Sequence, residues 1–246
     1  MSDPIAPPSA PAPTGPEMST GETLTGIFFE PSRTFEALRV RPRFLVAGLI
    51  VLILTCLVTA VMFARVDMAQ FIRDQIEKSP RAAQLTEEQK DMQVRFGKTV
   101  TMVAIPLAIP IGIAAGSAIY MLLVMAFGGS ITYKKALSVW TYSWLAPSVL
   151  GAFIALLVLF LKSPDTIVPE NLVVTNPGAL MGEGAPKVLK ALLSQFDLLR
   201  FYGFFLAALG LRKVAKISSG QAWGVVLTLW FIGLLFAIGR AALVGG

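Results

Sequence analysis

The chain has 246 residues, 55% of them hydrophobic and only 15% charged, with a net charge of +6 and a mean hydropathy of +0.70. A soluble domain carries roughly a quarter of its residues charged; here charge is absent from long blocks and dense between them, which excludes an ordinary soluble globule. The basic residues flank apolar blocks, which argues against nucleic acid, and with no histidine and Cys56 as the one cysteine neither an internal disulfide nor a Cys/His metal site can form.

Residues 1–21 are rich in Pro, Ala, Ser and Thr and are expected to be a disordered tail. No basic segment precedes an apolar core there, so no cleavable signal is expected and the first span directs insertion. In residues 22–43, Leu24, Ile27, Phe28, Pro31, Phe35 and Leu38 recur at intervals of three and four, the stripe of an amphipathic helix. The segment is too polar to cross. It is expected to lie in the membrane interface, with Phe28, Pro31, Phe35 and Leu38 on the lipid side and Arg33 and Arg39 among the phosphates. Docking of the same face onto the helix bundle is the alternative.

Span one is Phe44–Ala64, 21 residues with no ionisable group but Cys56, long enough for about 30 Å of hydrocarbon. Residues 65–98 hold seven basic and six acidic side chains and predict a helical hairpin outside the membrane. Within it, Thr86-Glu87-Glu88-Gln89 has the form of a capping box. Span two, residues 99–127, contains Pro106 and Pro110, each removing a backbone donor, and then Gly112 and Gly116, a spacing that lets another helix approach closely.

A Gly128-Gly129 turn and Lys134–Lys135 lead to span three, residues 137–161, whose Trp140, Tyr142 and Trp144 suggest the headgroup belt. A proline-rich loop over 162–185 ends at Pro186, which opens a helix running to about Leu211; its span is 191–211. Asp197 and Arg200, three apart on one face of that helix, are the intramembrane polar candidates. A local ion pair near the boundary is the simpler reading of them. Span five, residues 222–243, carries Gly233, Ala237 and Ala241 at intervals of four, a second small-residue face.

Five spans put the termini on opposite sides. The short segments at Arg33–Arg43, Lys134–Lys135 and Arg212–Lys216 are basic, and the last two contain no acid. That density predicts a cytoplasmic amino end and an outer carboxyl end.

Three stretches together resemble the bacterial branch of the Yip-one domain family, the Ypt-interacting membrane proteins. They are Phe28-Phe29-Glu30-Pro31 with Thr34-Phe35 and Leu38, Tyr133-Lys134-Lys135-Ala136-Leu137 leading to Pro147, and Asp197-Leu198-Leu199 through Leu209-Gly210-Leu211. The resemblance covers residues of about 23–245. It implies five spans and a cytosolic amino end; eukaryotic relatives act in vesicle traffic with Rab-type GTPases. The short Pro/Ala-rich amino segment here offers little for a GTPase to grip, so that partner is not carried over.

No phosphate-binding Gly-x-x-x-x-Gly-Lys-Ser/Thr loop and no Gly-x-Ser-x-Gly elbow occurs, and without histidine the usual general base is missing. No catalytic residue, cofactor or metal is expected. The reading is therefore an all-α polytopic membrane protein of about five spans with an amino-terminal interfacial helix, acting as a scaffold through contacts with the lipid bilayer and with other membrane proteins or itself. A small transporter or channel using the kinked second span and the Asp197/Arg200 pair is the alternative. A water-accessible cavity reaching the midplane beside residues 106–112 would favour it.

Overall fold

The computed structural model describes residues 15–79, 82–182 and 184–245; residues 1–14 of the expected disordered tail lie outside them. Among the described residues nine α-helices follow one another: α1 (Thr20–Phe29), α2 (Pro31–Val40), α3 (Leu45–Arg65), α4 (Met68–Glu77), α5 (Glu87–Ala126), α6 (Tyr133–Leu161), α7 (Lys187–Leu193), α8 (Leu198–Ala215) and α9 (Ser219–Gly245). No strand occurs among the described residues. The helices α3, α5, α6 and α9 are long and apolar enough to cross a membrane, and α7 with α8, bent by 45°, makes a fifth if the pair is one span. The protein is an all-α polytopic membrane protein.

The single amphipathic helix expected over 22–43 is two helices. Ser19 opens α1 in a reciprocal box with Glu22, two residues earlier than expected. Pro31 opens α2 after Glu30 leaves the helical region. Gly26 lets the two helices meet: a Cβ there would lie 2.5 Å from the Thr34 hydroxyl.

At 40 residues, α5 is about 60 Å long, roughly twice the hydrocarbon core. Its first turns stand outside and pack on α4, where Arg73 pairs with Glu87 and Asp91. Thr86 accepts from the Gln89 amide at 3.3 Å and Gln89 accepts from the Thr86 amide at 2.9 Å.

The helix expected to run to Leu211 is interrupted at residues 194–197. Asp197 is extended and caps α8, accepting from the Arg200 amide at 2.8 Å and from the Thr175 hydroxyl. The Arg200 guanidinium donates instead to Gln195. The expected Asp197–Arg200 ion pair does not form, because an aspartate ahead of an apolar run meets the unmet amides of a helix start better than a flexible cation.

The centre of the bundle is α6, which packs on α3, α5 and α8 and carries the buried Val139, Tyr142, Leu145 and Ala146. Trp140 and Trp144 do not form a headgroup belt. They run inward as part of an aromatic chain from Tyr120 (4.7 Å between ring centres to Trp140) through Trp144 to Phe204 (6.1 Å). Small residues make room for these rings: a Cβ on Gly116 would stand 2.2 Å from Trp140, and one on Gly203 3.2 Å from Trp144. Only 6% of the most apolar stretch of α3 is buried by protein, leaving Leu45, Leu49, Ile53 and Leu57 for the lipid. At the turn into α9, Lys216 takes a left-handed conformation (φ 55°), and Gln221 donates to the Phe127 carbonyl at 2.7 Å, joining the end of α5 to the start of α9.

Candidate functional site

A cluster of polar side chains lies where α1 and α2 meet the bundle. The apolar stripe read from the sequence turns inward: Ile27, Phe35 and Leu38 are fully buried, packed with Val139 and Tyr142 of α6 and with Leu206, Leu211 and Val214 of α8. Phe35 seats on Gly210, where a Cβ would stand 2.7 Å from the ring. Docking on the bundle therefore replaces the interfacial placement expected for Phe35 and Leu38. The reason is complementarity: α8 offers a bare backbone at Gly210 for a ring, and close-packed contacts hold membrane helices together where lipid offers no hydrophobic gain.

Of the other expected lipid contacts, Phe28 is half-buried against the same core, Pro31 occupies the first turn of α2, and Arg39 is half-buried. Arg33 is exposed and paired with Glu30 at 3.0 Å. The outward-facing phenylalanine is Phe29, 84% exposed.

Three polar ties surround the apolar seat. The Thr23 and Tyr142 hydroxyls lie 2.9 Å apart in a buried contact, and Thr23 also donates to the Thr20 carbonyl at 2.8 Å. Arg43 donates to the Thr20 hydroxyl at 3.0 Å. Lys213 at the end of α8 pairs with Glu36 on α2. At the start of α1, the Ser19 backbone N–H and hydroxyl hold the Glu22 carboxyl below its usual value.

The two small-residue faces divide. Gly116 is used inside the fold against Trp140, whereas a Cβ on Gly112 or Gly233 would meet nothing within 4 Å. Both of these glycines lie on the outside, with Ala237 half-buried. Repeats of small residues do not by themselves tell which member meets a neighbour in the same chain.

Beside the prolines, the cleft at Pro106 has about 240 Å³ and is lined by Phe63, Met102 and Ile105, with Cys56 and Thr59 its polar members. The cleft at Pro110 is formed by α3, α5 and the start of α6. Among the described residues neither lining contains a charged group. Among the same residues no three His, Cys, Asp or Glu side chains come together as metal ligands would.

Comparison with known proteins adds a family. The profile described as the Yip1 domain matches residues 25–240. A Bacillus subtilis (strain 168) protein named Membrane protein YknW is 28% identical over 219 residues, 88% of this chain and 88% of its own. No solved structure matches.

Proposed function

The chain belongs to the Yip1 domain family, and from that membership we propose that it is a non-catalytic organiser of the bacterial cytoplasmic membrane, working through helix–helix and lipid contacts, with its amino end in the cytoplasm. One observation carries the reading. Around the amino-terminal helices Thr23, Tyr142, Thr20, Arg43, Glu36 and Lys213 are engaged in internal bonds, while the helix faces at Gly112 and Gly233 stand open beside apolar surface. Open small-residue faces suit a second membrane helix, because close backbone approach replaces the hydrophobic drive that lipid removes.

The orientation is supported by the basic density at Arg33–Arg43, Lys134–Lys135 and Arg212–Lys216, two of which meet through Lys213 and Glu36. A small transporter or channel is the competing reading. Against it, the clefts at Pro106 and Pro110 hold no charge among their described residues, and Asp197 and Arg200 serve the break before α8.

The test is crosslinking in native membranes, affinity purification of the tagged chain and identification of what accompanies it. A reproducible membrane partner, lost in Gly112→Leu or Gly233→Leu but retained in Arg33→Gln, is the expected result. Those two positions are chosen because neither touches the fold. A solitary protein, together with solute flux above empty vesicles in liposomes, overturns the organiser reading in favour of transport.

A further inference from the structure

Two helices, α3 and α6, begin at the same end of the bundle, and a cavity of about 290 Å³ lies between their starts. Arg43 and Lys134 line it together with Thr20 and Tyr142, and no carboxylate is among the described residues of its lining. None of the described ion pairs includes either cation. Arg43 is held in place by its bond to Thr20, so one positive group is already positioned.

The backbone adds to this charge. Neither Phe44 nor Thr132, the residues ahead of α3 and α6, bonds its helix through a side chain, whereas Ser19, Asp67, Thr86 and Asp197 cap theirs. Leu45 and Val46, whose first-turn amides have no intrahelical acceptor, are themselves part of the cavity wall.

A groove of about 370 Å³ continues from the cavity, sharing Phe44 and Leu45 and passing Gly48, Leu49 and Leu52 on its way between α3 and α5. From Leu45 to Leu52 the helix rises about 10 Å. The cavity sits where the charge-free block begins, and the groove runs into that block. Cations at headgroup depth followed by an apolar channel match an anionic lipid in both parts.

We propose that an anionic glycerophospholipid binds here, its phosphate between Arg43 and Lys134 and one acyl chain in the groove between α3 and α5. A free phosphate would leave the groove unfilled. A zwitterionic lipid brings an ammonium that no carboxylate in the lining receives. Such a lipid gives the lipid half of the organiser reading a defined seat, and its binding rests only on membrane insertion. The test contains no second protein, so either reading can fail alone.

The experiment is native mass spectrometry of the delipidated full chain in detergent, titrated with phosphatidylglycerol or phosphatidylcholine of identical acyl chains. One phosphatidylglycerol is expected to bind with about tenfold preference, the scale of a cation or two near a lipid phosphate. Lys134→Gln and Arg43→Gln should each remove most of that preference. Leu49→Trp should weaken binding of the lipid while leaving both cations in place, and Arg33→Gln should change nothing. Lys134→Gln keeps the test valid if Arg43→Gln disturbs the contact with Thr20. Equal binding of the two lipids, a preference that survives both cation variants, equal loss in Arg33→Gln, or displacement of the lipid by excess inorganic phosphate would each overturn the proposal.

Discussion

Adding one methyl group at Gly210 tests whether the amino-terminal helices are held by the bundle. In Gly210→Ala the new Cβ would stand 2.7 Å from Phe35 Cε1 and 2.9 Å from both Phe35 Cζ and Val139 Cγ1. Ordinary carbon contacts lie at about 3.5–4.0 Å, so the ring must retreat by about 1 Å. Phe35 is fully buried and has no solvent-side escape. Overpacking of this kind costs about 1–3 kcal/mol, offset by up to about 1 kcal/mol from the better helix propensity of alanine. The net loss should be about 1–2 kcal/mol, read by reversible unfolding in mixed micelles through tryptophan fluorescence. Gly112→Ala makes the same chemical change where nothing lies within 4 Å, and should be neutral or stabilising by up to about 1 kcal/mol. Shortening the ring in a Phe35→Leu, Gly210→Ala double variant should recover part of the loss. If Gly210→Ala is as stable as the parent, or the double variant recovers nothing, the seat is not as tight as the geometry implies.

Thr23→Val strands the buried Tyr142 hydroxyl and should cost about 1–3 kcal/mol, whereas Tyr142→Phe leaves Thr23 bonded to the Thr20 carbonyl and should cost about 1 kcal/mol. The double variant should lose less than the sum, and strict additivity in the unfolding assay would deny the contact. Asp197→Ala removes the cap of α8, with an expected loss of about 1 kcal/mol and faster amide exchange over residues 198–201; unchanged exchange there would refute the capping role. The Glu22 carboxyl is held below its usual 4.5 mainly by the Ser19 backbone N–H. Its contribution is therefore full above pH 4.5 and lost as pH falls through the lowered folded value. Amide exchange at the start of α1, corrected for intrinsic rates, should rise over that window, and Glu22→Gln should show no such rise.

The spans were legible because the membrane forbids charge over some twenty residues, and blocks such as 44–64 obey that rule without help from tertiary structure. The capping box at Thr86 was equally local. What covers a helix face is a different kind of fact. The stripe of Ile27, Phe35 and Leu38 has the same periodicity whether lipid or protein meets it, and its partner, Gly210, lies far along the chain. Trp140 and Trp144 misled for a related reason: position near a span end suggests a belt, but their spacing of four also aims both into the seam between α5 and α8. Asp197 did carry a local signal. An aspartate directly before an apolar run is a good helix start, and reading it with Arg200 as a pair obscured the break it marks. Gly112 and Gly116 looked alike in the sequence because only the position of Trp140 separates them.

The contact between Glu36 and Lys213 joins residues 177 positions apart, and this separation has a temporal meaning. During synthesis at about 5–20 residues per second, α2 waits roughly 9–35 s for its seat on α8 to be made. Through that interval the α8 side of Phe35 and Leu38 has no cover from the protein, and the bilayer surface beside the insertion machinery is the nearest apolar refuge. An amphipathic segment in that state is expected to rest on lipid until α8 is made. Closing the first-made helices onto nearly the last-made span makes their docking a late step, completed only by chains whose intervening spans are in place.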